Sequence, residues 1–133
     1  MKPERLIERV RAAALALAGT TEKVSHGEPA FFRGRMFITI DNNHHGSGHV
    51  AMWCRAEPGV QSALVDASPE HFFVPPYVGT QGWLGVRLDS GLDWKVIAGC
   101  LESAWREAEV TRRRPPTGSA GTARPKRIRG RLA

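Results

Sequence analysis

The sequence predicts an α+β fold in which an antiparallel sheet carries its helices on one face, followed by a strongly basic C-terminal tail. Three observations lead there. Apolar residues recur at helical spacing near the start of the chain and again before the tail. Between them lie short runs of alternating, β-branched and aromatic residues. The connections between those runs are short and rich in Gly, Asn and Pro, which suits an antiparallel meander. The predicted element order is α-β-β-β-α-β-β-α.

Each element has its own signal. Leu6, Ile7, Val10, Ala14 and Leu17 fall on one arc of a helix from Pro3 to Ala18, with proline in the first turn and Gly19 at the end. Thr20 and Thr21 are read as turn. Ala30 to Arg33 is a short strand, and Gly34 turns the chain into a second one from Arg35 to Asp41. There Met36, Ile38 and Ile40 alternate with Phe37, Thr39 and Asp41. Asn42 to Gly48 is a polar loop and His49 to Arg55 the third strand. Pro58 to Ala67 has the pattern of a second helix. Phe72 to Val74 is extended and is stopped by Pro75-Pro76. Gly79 to Gly82 reads as loop and Trp83 to Leu88 as the last strand. Asp93 is a suitable N-cap for a helix from Trp94 to about Ala108.

Charge divides the chain into two regions. Residues 111–133 hold eight basic side chains and no acid: Arg112, Arg113, Arg114, Arg124, Lys126, Arg127, Arg129 and Arg131. Residues 1–110 hold eleven basic and thirteen acidic ones, about −2 by formal count. The expected organisation is therefore a domain over 1–110 and a disordered basic tail over 111–133. The segment Met1-Lys2-Pro3-Glu4-Arg5 is not expected to open a secretory signal, because acids and arginines continue through what would be its apolar core, and the sequence holds no run of the ~20 apolar side chains that a membrane span needs. The expected location is cytoplasmic, with no membrane partner. In that compartment Cys54 and Cys100 read as reduced, small apolar residues, although a disulfide between them stays open.

Several segments carry chemistry worth weighing. The tail cations suit salt-sensitive, sequence-independent attraction to nucleic acid. Arg33 and Arg35 flank one tight turn, and Arg55 and Arg87 sit near strand ends, where guanidiniums can meet a phosphate backbone. His44, His45 and His49 lie within six residues, but the intervening Gly46 and Gly48 favour a polar hairpin loop over a metal site, so no metal and no cofactor are expected. Asp41, His44 and Ser47 are too close along a hairpin to serve as a triad. Phe31, Phe32, Trp53, Tyr77 and Trp83, if they converge near His26, would form an aromatic patch for a small molecule or a protein; the competing expectation is that aromatics on a sheet pack into the core.

A set of short segments, in order, resembles the MmcQ/YjbR family of small bacterial proteins. They are Leu17-Ala18-Gly19-Thr20-Thr21-Glu22, His26-Gly27-Glu28-Pro29-Ala30-Phe31, Gly34-Arg35-Met36-Phe37, Pro69-Glu70-His71-Phe72-Phe73, Pro75-Pro76-Tyr77-Val78-Gly79 and Gly82-Trp83-Leu84-Gly85-Val86-Arg87-Leu88-Asp89. The match spans about residues 3–108. It departs at Ala18, where family members often carry proline. The resemblance implies a CyaY-like fold and a protein described as DNA-binding, its hairpins compared with a double-winged motif. Frataxin shares that fold and binds iron on an acidic ridge. Here Arg5, Arg9 and Arg11 interleave with Glu4 and Glu8, so iron binding is not carried over. The expected function is non-enzymatic DNA binding, with the tail supplying phosphate attraction. The alternative is an interaction module that uses the aromatic patch.

Overall fold

A computed structural model describes residues 2–43 and 48–113. Helix α1 (Pro3–Leu15) begins after an extended Lys2, whose carbonyl accepts from the backbone of Arg5 and Leu6 at 3.0 and 3.3 Å. It buries Val10 and Ala14. The predicted helix ran on to Ala18. Instead, the Leu17 N–H bonds back only three residues, to Ala14, and Gly19 takes a φ of 75° that turns the chain into the sheet.

The sheet has six strands in the order β1-β2-β3-β4-β6-β5, each neighbouring pair antiparallel. They are β1 (Thr21–Ser25), β2 (Glu28–Arg33), β3 (Arg35–Asn42), β4 (Val50–Cys54), β5 (Phe72–Phe73) and β6 (Leu84–Arg87). The sequence reading missed β1, placing Thr21 in a turn. This edge strand exposes Thr21, Lys23 and Val24, so it has no buried face to imprint an apolar alternation. The true order is therefore α-β-β-β-β-α-β-β-α, with a 3₁₀ turn at Gly79–Gln81 where a loop was expected.

One face of the sheet is the core face. Across the ladder Phe31 stands opposite Ile38, Ile38 opposite Cys54, and Cys54 opposite Leu84. In the next row Ile40 faces Met52, Met52 faces Val86, and Val86 faces Phe72. Helix α3 (Trp94–Arg113) lays Ile97, Leu101, Ala104 and Ala108 on these residues, and α1 adds Val10 and Ala14. Leu64 and Val65 of α2 (Val60–Ala67) pack against the same cluster. The side chain of Asp93 accepts from the Lys95 N–H at 2.9 Å, the cap expected for α3. That helix continues to Arg113 rather than stopping near Ala108.

The pairing of β2 with β3 corrects the expected alternation. Phe31 pairs with Ile38, yet Phe32 pairs with Met36, so β3 has one extra residue. That residue, Phe37, is fully buried, as is Ile38. The bulge sends Met36 to the opposite face, with Thr39, instead of inward with Ile38 and Ile40.

Cys54 and Cys100 are not joined in a disulfide, and both line a cavity of about 310 Å³ between β4, α2 and α3. Burial pushes the Cys100 thiol up to about 11, and raises Cys54 well above its ordinary range, with the nearby Cys100 adding to the effect. Both thiols should therefore be sluggish nucleophiles. Thiol–disulfide reagents at pH 8 should modify Cys100 about 100-fold more slowly in the native protein than in urea, because two pKa units separate the thiolate populations. Since the native state holds the Cys100 proton more tightly, its contribution to stability is complete below about pH 9 and fades as the pH rises through about 11.

Candidate functional site

The second face of the sheet is not open water. A row of residues crosses it from β2 to β5: Ala30, Thr39, Trp53, Gly85 and Phe73. The segment after β5 lies near this row, with Pro75 and Gly79 buried. Gln61 of α2 fixes it, donating from Nε2 to the carbonyls of Gly79 at 2.9 Å and Trp83 at 2.6 Å. Gly85 leaves room for the Phe73 ring. A Cβ there would stand 2.5 Å from the Phe73 ring, which in turn stacks on His49 at 4.3 Å.

Between this strap and the far hairpin lies a pocket of about 360 Å³. The β1–β2 turn supplies Ser25, His26 and Glu28. The sheet supplies Met36, Thr39 and Trp53, and the strap supplies Tyr77 and Val78. The bulge at Phe37 is what brings Met36 to this face. The volume is at the small end of ligand sites, which run from about 300 to 1,000 Å³.

Two lining residues hold unusual backbone conformations. Ser25 pairs with Glu28 across a two-residue turn in which His26 and Gly27 both have positive φ, 54° and 82°. Such turns of the I′ class favour Asn-Gly, so histidine occupies a position where asparagine would be conformationally better. Tyr77 has a φ of 67° and is 77 % exposed, an uncommon state for a bulky side chain. Among the described residues only Asn43 is a further non-glycine with positive φ. Strain of this kind gathers at ligand sites.

Of the aromatic patch expected from the sequence, His26, Trp53 and Tyr77 line this pocket. Phe31 does not: it is fully buried on the core face. Trp83 is 2 % exposed and is likewise absent from the lining. Glu28, Met36 and Thr39 were not singled out by sequence reasoning. The His-Gly turn between Ser25 and Glu28 was the available signal for the first two strands, whereas the bulge that places Met36 has none.

Three of the arginines expected to meet DNA, Arg33, Arg55 and Arg87, have neighbours within the fold. The Arg33 guanidinium lies 3.7 Å over the Trp105 ring, donates to the Trp105 carbonyl at 3.2 Å and pairs with Glu109 at 2.7 Å. Arg55 donates from Nε to the Met36 carbonyl at 2.7 Å and sits 5.2 Å over Trp83. Burial lowers its pKa, with Arg35 acting in the same direction and Glu107 opposing. Arg87 stands 3.7 Å from Asp89. Arg35 is exposed. Arg112 and Arg113 fall in the last turn of α3, and Arg114, Arg124, Lys126, Arg127, Arg129 and Arg131 lie outside the described residues. Through Arg113 the chain has thirteen basic and thirteen acidic side chains, so its net charge of +6 belongs to residues 114–133.

His44, His45 and Ser47 also lie outside the described residues, so their loop is not described. Among the described residues no three potential ligands gather to hold a metal ion, and no helix is long and apolar enough to cross a membrane. Among the described residues one Ser–His pair is in contact: His71 Nδ1 and Ser90 Oγ are 2.6 Å apart, with Glu70 3.8 Å from the other ring nitrogen. Neither residue lines the pocket. The contact clasps the entry to β5 to the loop that leads into α3.

The YjbR family model matches residues 15–107, and the chain belongs to that family. A crystal structure of the Deinococcus radiodurans protein DR2400, described as a DUF419 domain, is similar with a TM-score of 0.68 and 15 % sequence identity. The match covers 90 % of this chain and 85 % of that one, and at that identity it speaks to the fold alone. No curated protein sequence matches the chain.

Proposed function

We propose that this YjbR-family protein is a non-enzymatic binding module whose site is the pocket between the β1–β2 turn and the strap after β5. The observation that carries the reading is the convergence of His26, Trp53 and Tyr77 on one concavity, two of them in strained backbone. A shaped, mostly apolar recess with a few polar groups is what a small ligand requires. A Met36→Trp variant should fill the recess from its floor. A small molecule that stabilises the native protein by the roughly 2.7 kcal/mol expected at a hundred times its Kd, seen as a higher melting temperature, should leave that variant unmoved. Equal stabilisation of both would place binding elsewhere and end this reading. His26→Asn should keep the turn and the melting temperature while weakening the ligand.

DNA binding is a second reading, favoured by the location of charge. The described body is balanced, so phosphate attraction would come chiefly from residues 114–133. On this reading Arg112 and Arg113 at the end of α3 and Arg35 at the hairpin turn add to it, and Arg33, Arg55 and Arg87 contribute less because their guanidiniums already hold neighbours within the fold. Deleting 114–133 removes six cations and should flatten the log–log dependence of affinity on salt by roughly 5. Affinity for a short duplex that survives the deletion with its salt slope intact would rule the tail out.

A further inference from the structure

We infer that the pocket selects an organic cation: a small molecule or side chain with an ammonium group attached to a flat apolar body. This rests on the pocket reading above and goes further, to the class of ligand. The lining contains one carboxylate, Glu28, and no lysine or arginine. Glu28 makes no ion pair with any described residue, in contrast to Glu8 and Glu22, which share Arg11, and Glu102, which holds Arg106. A partly buried acid with no cation of its own draws a positive charge and repels phosphate or carboxylate.

The remaining surface supports the same assignment. Trp53 is nearly buried in the sheet, Tyr77 stands at the rim, and Met36 lies on the same face. Indole and phenol faces attract cations through their quadrupoles, and a thioether accommodates the hydrocarbon. Ser25 and His26 offer hydrogen-bond partners to an ammonium or its neighbouring groups. A nucleotide or a phosphate backbone finds no lysine or arginine in this lining. The pocket and the basic residues of 114–133 would thus take partners of opposite charge.

The test uses the full chain and a matched pair of probes, 2-phenylethylammonium and 3-phenylpropanoate, with affinities and binding positions read from backbone NMR shifts. The ammonium should bind at least about tenfold more tightly than the carboxylate, the difference set by one half-buried charge. Glu28→Gln should abolish that preference and Glu28→Lys should invert it, with the fold of each checked by its spectrum. A carboxylate that binds as tightly as the ammonium, an ammonium that does not bind, or a preference unchanged in Glu28→Gln would overturn the inference. If the carboxylate shifts Trp53 and Tyr77, the pocket stands as a binding site and only its selectivity falls. If bound probes leave both residues unmoved, the pocket reading falls too.

Discussion

Replacing Phe31 by alanine should destabilise the protein by about 4 kcal/mol, in the range measured when a buried aromatic ring is deleted from a core. The ring is fully buried, opposite Ile38 on the core face and within the cluster that includes Leu101 and Ala104 of α3. The bulge at Phe37 fixes both neighbours on β3, so the sheet has little freedom to close the cavity. Urea unfolding should show a lower midpoint with an unchanged slope. Because the ring faces away from the pocket, any ligand-binding defect in this variant should scale with the unfolded fraction alone. A loss below about 1 kcal/mol would mean that the ring does not pack as described.

Trp105→Ala should cost about 3 kcal/mol, since one indole joins three parts of the fold. Its Nε1 donates to the Ala18 carbonyl at 2.8 Å, which ties down the turn after α1. Its ring carries the Arg33 guanidinium, and Arg33 bridges onward to Glu109. Arg33→Ala removes the stack and the pair but leaves the indole, and should cost about 2 kcal/mol; the side chain is 19 % exposed, so solvent weakens the pair less than at an open surface. Arg35→Ala, one turn residue away and exposed, should change stability by less than about 0.5 kcal/mol. Equal losses for the two arginines would contradict the latch.

What was legible in the sequence follows from which faces are buried. Helices α1 and α3 bury one stripe each, so their 3.6-residue period is written in Val10 and Ala14 and in Ile97, Leu101, Ala104 and Ala108. Strand β4 is buried along its whole length, so Val50 to Cys54 reads as an apolar run. Strand β1 buries little and has almost no pattern to read. The bulge at Phe37 shifts a face by one residue, a choice made by pairing with β2 and invisible in β3 itself. The site divides in the same way. His26, Trp53 and Tyr77 were conspicuous by type, whereas Glu28 and Met36 enter the pocket through a turn and a bulge. Arg33 looked like a turn cation because its partners, Trp105 and Glu109, come from the far end of the chain.

A shift map of the isotopically labelled full chain, recorded against a panel of small amines, acids and neutral aromatics and then against a short DNA duplex, is the most direct check on where this protein binds. Saturable movement should centre on Ser25 to Glu28, Met36, Thr39, Trp53 and Tyr77-Val78 with the small molecules, and these signals should stay still when DNA is added. Small-molecule shifts that bypass all of these positions, or a DNA footprint centred on them, would contradict the assignment of the site.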